Sequence, residues 1–188
     1  YDVTYGIVKN DRDTLVLLDD SIVRGTTLKQ SIINILSKLF PKKIIIVSSA
    51  PQIRYPDCYG IDMSVMKSFV AFQALIEMLE ESGQEELLEE VYHKCKEQEH
   101  LPKEKMVNHV KTLYNAFTDQ EISERIACIV KPENLPYDLE ILFQSIDGLH
   151  AACSDEVGDW YFSGDYPTPG GTKVVNQAFI NYMEKSTE

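Results

Sequence analysis

Leu15-Val16-Leu17-Leu18-Asp19-Asp20-Ser21-Ile22-Val23-Arg24-Gly25-Thr26-Thr27 is the stretch that decides the fold. Its apolar half is uninterrupted, which reads as a strand buried on both faces and so as part of a parallel sheet. The run stops at Asp19-Asp20, setting two carboxylates at the carboxyl edge of that sheet, where open α/β folds bind ligands. A short loop with Gly25 follows, and Thr26-Thr27 open a helix. Backbone N–H groups, two hydroxyls and the positive end of a helix dipole together make a phosphate cradle. Asp, Ser and Thr are common as ordinary helix caps, but here the whole string fits the cradle. It is not a Walker A loop, because no Gly-x-x-x-x-Gly-Lys-Ser/Thr occurs in the chain.

Downstream, Leu28, Ile32, Ile35/Leu36 and Leu39 recur at helical spacing until Pro41. Ile44-Ile45-Ile46-Val47 then forms a second apolar run ending at Ser48-Ser49, so strand, helix and strand make a βαβ unit with a right-handed crossover. From Met63 to about Asp147 the reading is helical. Phe69, Phe72, Leu75/Ile76 and Leu79 line one helix, stopped by Ser82-Gly83. Leu87/Leu88, Val91 and Cys95 line the next. Pro102 precedes a third helix through Met106/Val107, Val110, Leu113/Tyr114 and Phe117. Thr118-x-x-Glu121 is a capping box opening a fourth, with Ile122, Ile126 and Ile129. After Gly148 come Gly, Pro and aromatics, then a last helix near Val175–Lys185. Tyr1 to Val8 reads as an extended segment, and the sheet needs more strands than the βαβ unit offers. The chain is therefore expected to begin partway through a domain.

The 188 residues carry 18 Lys and Arg against 30 Asp and Glu, a net charge of −12, with 44% hydrophobic residues. That balance suits a globular chain and argues against nucleic acid or anionic membranes as partners, since both require an excess of cations. The charge is uneven. Residues 1–63 hold 8 basic and 7 acidic side chains, residues 64–147 hold 8 and 17, and residues 148–188 hold 2 and 6. An anionic ligand belongs in the first third. The acidic run Glu85, Glu86, Glu89 and Glu90 lies opposite an apolar stripe and reads as a solvated helix face. Cys58, Cys95, Cys128 and Cys153 are far apart, which predicts free, buried thiols in a reducing cytoplasm. His93, His100, His109 and His150 show no metal-ligand spacing, and no apolar run is long enough to cross a membrane.

The thirteen-residue string resembles the phosphoribosyl-pyrophosphate (PRPP) signature of type I phosphoribosyltransferases, and its wording is similar to that of the glutamine phosphoribosylpyrophosphate amidotransferase family. A second match is Ser49-Ala50-Pro51-Gln52-Ile53-Arg54-Tyr55-Pro56 with Tyr59-Gly60-Ile61-Asp62-Met63, and a weaker third is Tyr161-Phe162-Ser163-Gly164-Asp165-Tyr166-Pro167-Thr168. The resemblance implies an α/β chain with a partial type I phosphoribosyltransferase fold, a parallel sheet with flanking helices plus a helical insert. It divides as residues 1–63 (the core with the PRPP loop), 64–147 (helical insert) and 148–188 (a C-terminal segment packing on the core). It implies transfer of ammonia from glutamine to C1 of PRPP, giving phosphoribosylamine in the first step of purine synthesis. Ser21, Ile22, Val23, Arg24, Gly25, Thr26 and Thr27 would hold the 5′-phosphate. Asp19 and Asp20 would serve the ribose and Mg²⁺. It further implies an oligomer with purine-nucleotide effectors, working in the cytoplasm.

The departures are as informative. The family's glutaminase domain, its pyrophosphate-contacting early loop and most of its closing loop have no counterpart in these residues, so this stretch alone is expected to be inactive. Residues 64–117 look inserted relative to shorter members. Some members carry an iron–sulfur cluster. Here Asp57, beside Cys58, takes the first ligand position, and Asp155 and Gly158 fall where a Cys pair would be, so no cluster is expected. A salvage enzyme attaching a base to PRPP, and a non-catalytic PRPP- or nucleotide-sensing module, are the alternatives.

Overall fold

The computed structural model describes residues 6–57, 63–155 and 158–184. Strand β1 is Thr14–Asp19 and β2 is Lys43–Ser48. They pair in parallel from Thr14 with Lys43 to Asp19 with Ser48, as the βαβ reading requires. The crossover helix α1 opens with a π-helical turn, Leu28–Ile32, and continues as Ile33–Ser37. It buries Leu28, Ile32 and Ile33.

A third strand, β3 (Asp138–Phe143), pairs in parallel with β2 and completes a sheet of order β1-β2-β3. This corrects the expectation that residues up to Asp147 are helical. The segment Asp138-Leu-Glu-Ile-Leu-Phe buries only Ile141 fully, and its two acidic residues hide the strand signal that β-branched runs give elsewhere. Helices α2 (Val70–Glu81), α3 (Glu86–Glu97), α4 (Lys111–Tyr114) and α5 (Asp119–Val130) therefore lie within the connection from β2 to β3.

The expectation that the apolar strands are buried on both faces also fails. In register across the sheet, Leu17, Ile46 and Ile141 point into the core, whereas Val16 and Leu18 are 64% and 72% exposed. Ile45 and Val47 are half-buried beside them, and Leu142 is exposed. Among the described residues no layer covers this second face.

α2 ends at Glu81, with Ser82 as cap and Gly83 at φ +69°, the stop the sequence signals. α5 carries the predicted capping box in full. Thr118 Oγ1 accepts the Glu121 N–H at 3.2 Å, and Glu121 Oε2 accepts the Thr118 N–H at 2.7 Å. The helix expected after Pro102 is mostly missing. A 3-10 turn at Lys103–Lys105 is followed by extended backbone, and α4 is a single turn. Gln98 Oε1 accepts the Val107 N–H at 2.7 Å and Asn176 donates to the Val107 carbonyl at 3.0 Å. Side chains thus satisfy the backbone groups a helix would have used.

Helices α6 (Ile146–Ala152), α7 (Trp160–Ser163) and α8 (Pro169–Met183) complete the chain. α8 starts earlier than its apolar stripe suggests, because Pro169 suits a first helical turn. α2 packs on α5, and α3 on α8. One apolar cluster runs from Ile22 through Ile44, Ile46, Phe69, Phe72 and Ile126 to Phe179 and Ile180. No helix of the described residues is long and apolar enough to cross a membrane. Cys95 is a buried free thiol, whereas Cys128 and Cys153 are exposed, contrary to the expectation that the thiols are buried. Cys58, Tyr59-Gly60-Ile61-Asp62, the first five residues, Glu156, Val157 and residues 185–188 lie outside the described residues.

Candidate functional site

β1 ends at Asp19, so the strand delivers Asp19 and Asp20 to its carboxyl edge. Asp19 Oδ1 accepts the Asp20 N–H at 3.0 Å, and Asp20 Oδ1 accepts the Ser21 N–H at 2.8 Å. Their carbonyls accept the N–H groups of Ser49 and Ala50 at 2.9 and 3.0 Å. The turn after β2 therefore braces the pair from one side. One oxygen of each carboxylate is used locally. The other makes no hydrogen bond among the described residues, and a carboxylate has further lone pairs to offer.

The loop that follows is built from both sides of the fold. Ile22 is 4% exposed and belongs to the core, so its side chain anchors the loop and only its backbone can face a ligand. The Val23 carbonyl accepts the Val70 N–H, the first of α2, at 2.8 Å. Gly25 adopts φ +69°, a left-handed conformation that favours glycine. A Cβ there would stand 2.7 Å from Val130 Cγ1 and 3.4 Å from Val70 Cγ2. Lys29 Nζ donates to the Ile129 carbonyl at the end of α5 at 3.0 Å. Helices α2 and α5 thus clamp the loop, and Gly25 is required by packing beneath it. The sequence alone gave no sign of the clamp.

Thr26 and Thr27 are exposed at the start of α1, and Arg24 is also exposed. First-turn N–H groups have no acceptor inside a helix, so those of this turn can bind an external anion. A cavity of about 270 Å³ opens beside them, lined by Arg24, Gly25, Thr26, Lys29, Ser68 and Gln73. Lys29 is the member that motif reading missed; its position on the helix just after Thr26-Thr27 was the available signal.

The second motif segment forms its own knot. Arg54 donates to Gln52 Oε1 at 2.7 Å and to Asp119 Oδ1 at 2.5 Å, and lies 5.1 Å from the centre of the Tyr114 ring. Gln52 Nε2 reaches Ser123 Oγ and the Asp119 carbonyl, both at 2.8 Å. Burial pushes the phenols of Tyr55 and Tyr114 well above their usual range, keeping both neutral hydrogen-bonding groups. The third segment docks on this one. The Tyr161 carbonyl accepts the Arg54 and Tyr55 N–H groups, Tyr166 donates to the Pro56 carbonyl, and Trp160 Nε1 donates to Asp57 Oδ2 at 3.0 Å.

About a third of the chain has counterparts among curated sequences. The chain resembles amidophosphoribosyltransferases. It is 48% identical to the amidophosphoribosyltransferase of Pasteurella multocida over 58 residues, 31% of this chain and 11% of that protein. It is 51% identical to that of Escherichia coli over 61 residues, 32% of this chain and 12% of that protein. The amidophosphoribosyltransferase of Saccharomyces cerevisiae is 43% identical over 58 residues, again 31% and 11% of the two chains. The aligned stretches thus span about a ninth of the length of these curated amidophosphoribosyltransferases. Scanned against protein-family models, the chain matches none.

Among the described residues no three His, Cys, Asp or Glu side chains come together as a metal-ligand set. Asp19 and Asp20 are a pair that could hold Mg²⁺, which commonly takes one or two carboxylates and completes its shell with phosphate oxygens and water.

Proposed function

We propose that residues 19–27 are the PRPP-binding loop of an amidophosphoribosyltransferase, which transfers ammonia derived from glutamine to C1 of PRPP. The observation that carries this reading is the junction of β1 and α1, where two carboxylates, a left-handed Gly25 and the opening turn of a helix follow one another. Ser21–Thr27 would bind the 5′-phosphate through backbone N–H groups and the Thr26 and Thr27 hydroxyls. Asp19 and Asp20 would accept from the ribose hydroxyls and hold Mg²⁺, which when bound would neutralise the pyrophosphate leaving group. The two carboxylates also set fixed negative charge near the sugar, favouring positive charge that develops there as pyrophosphate departs. The likeness to amidophosphoribosyltransferases supports ammonia, rather than a purine or pyrimidine base, as the group that displaces pyrophosphate. Glutamine hydrolysis, oligomer formation and control by purine nucleotides would reside in the complete enzyme.

The test is product analysis of the full-length protein with PRPP and either ammonia or free bases as acceptor. Phosphoribosylamine with ammonia supports the reading; nucleotide formed from a free base, with none from ammonia, overturns it in favour of a salvage enzyme. PRPP binding without pyrophosphate release in the presence of either acceptor would leave a sensing module as the better description.

A further inference from the structure

The start of α8 borders a cavity of about 560 Å³ that shares no lining residue with the one beside the loop. Its size lies in the range of small-molecule sites, roughly 300–1,000 Å³. Trp160, Tyr166 and Val174 supply aromatic and aliphatic wall, and Lys103 and Lys173 stand at its rim. Neither lysine has an ion-pair partner among the described residues, although the chain is strongly acidic. Asp57, only 4% exposed, holds the indole through the 3.0 Å bond from Trp160 Nε1, which fixes the orientation of that wall. Gly171 closes the floor, packed so tightly on Tyr166 that a Cβ would fall 2.0 Å from its ring.

From these walls and charges we infer that the cavity binds a small aromatic carboxylate, its ring against Trp160 and Tyr166 and its carboxylate between Lys103 and Lys173. Flat aromatic rings pair favourably with indole and phenol rings. Among the lining side chains two ammonium groups stand against one carboxylate, a balance that suits an anion. The first turn of the fifteen-residue α8 adds a weaker attraction of the same sign. The site is separate from the PRPP loop and stands or falls apart from it.

Naphthoate and its neutral isostere naphthamide are the probes, titrated by calorimetry into the 188-residue chain. Trp160 is the chain's only tryptophan, so its indole N–H resonance reports the location of binding. Naphthoate should bind and shift that resonance, with naphthamide weaker by at least about tenfold. Lys103→Ala combined with Lys173→Ala, both at exposed positions, should lower naphthoate affinity by a similar factor and leave naphthamide unchanged. Lys103→Gln with Lys173→Gln repeats the test with side-chain length retained. An unmoved indole resonance, equal binding of acid and amide, or full affinity in both double variants would each overturn the assignment.

Discussion

Gly25 and Val130 are in register across the fold: a Cβ on Gly25 would sit 2.7 Å from Val130 Cγ1, inside any real van der Waals contact. The loop after β1 and the last turn of α5 thus pack too closely to admit a side chain at Gly25.

Gly25→Ala meets two penalties, a left-handed backbone worth about 1–2 kcal/mol for a residue with a Cβ and the clash with Val130. Denaturant unfolding should show a loss beyond the backbone penalty alone. Combined with Val130→Ala, Gly25→Ala should cost less than it does alone, because the clash is relieved while the φ penalty remains. Strict additivity of the two variants would mean that the contact is not tight.

The sheet makes a contrast that unfolding can read. Ile46→Ala empties a fully buried site in the central strand and should cost about 2–5 kcal/mol. Leu18→Gln changes a side chain that is mostly exposed and should stay within about 0.5 kcal/mol of the parent chain. A large loss for Leu18→Gln would show that the second sheet face is covered after all.

The capping box carries a pH dependence. The Glu121 carboxyl is held below its ordinary value, first by the Thr118 backbone N–H it accepts and then by the Thr118 hydroxyl. A lowered folded-state value means this contribution is fully present above the unfolded value of 4.5 and is lost as pH falls through the folded one. Glu121→Gln should remove that acid-side dependence. Thr118→Ala should cost about 1 kcal/mol at neutral pH, read as a lower thermal midpoint.

Thiol labelling separates the cysteines by environment. Burial pushes the Cys95 thiol up to about 12, so it holds almost no thiolate at neutral pH. In a Cys58→Ser background, an aromatic disulfide reagent should modify Cys128 and Cys153 quickly and Cys95 only on unfolding. Fast labelling of all three would contradict the packing of α3 on α8.

Much of this was legible along the chain because the signals are local. The runs at Leu15–Leu18 and Ile44–Val47 lie within β1 and β2, and Thr118-x-x-Glu121 encodes its own cap. β3 was not legible, since a strand at a sheet edge with Asp138 and Glu140 shows little β-branched character. The stripe Met106–Val110 has helical spacing, yet Gln98 and Asn176 hold Val107 extended from distant positions. At the site, the carboxylates and the glycine could be read directly. The clamp by Val70, Ile129 and Val130 could not, nor could the docking of Tyr161 and Trp160 on the Arg54–Asp57 segment. Those contacts join residues far apart in sequence, and no local pattern announces them.

The role of the paired carboxylates is tested most directly by calorimetric titration of the parent chain and the Asp19→Asn, Asp20→Asn double variant with inorganic phosphate and with PRPP plus Mg²⁺. The variant loses two negative charges beside the loop but keeps the Ser21–Thr27 N–H groups and hydroxyls. Phosphate binding, weak in the parent, should persist or strengthen, while Mg²⁺-dependent PRPP binding should fall by at least about tenfold. Undiminished binding of Mg²⁺-PRPP by the double variant would contradict the roles given to Asp19 and Asp20.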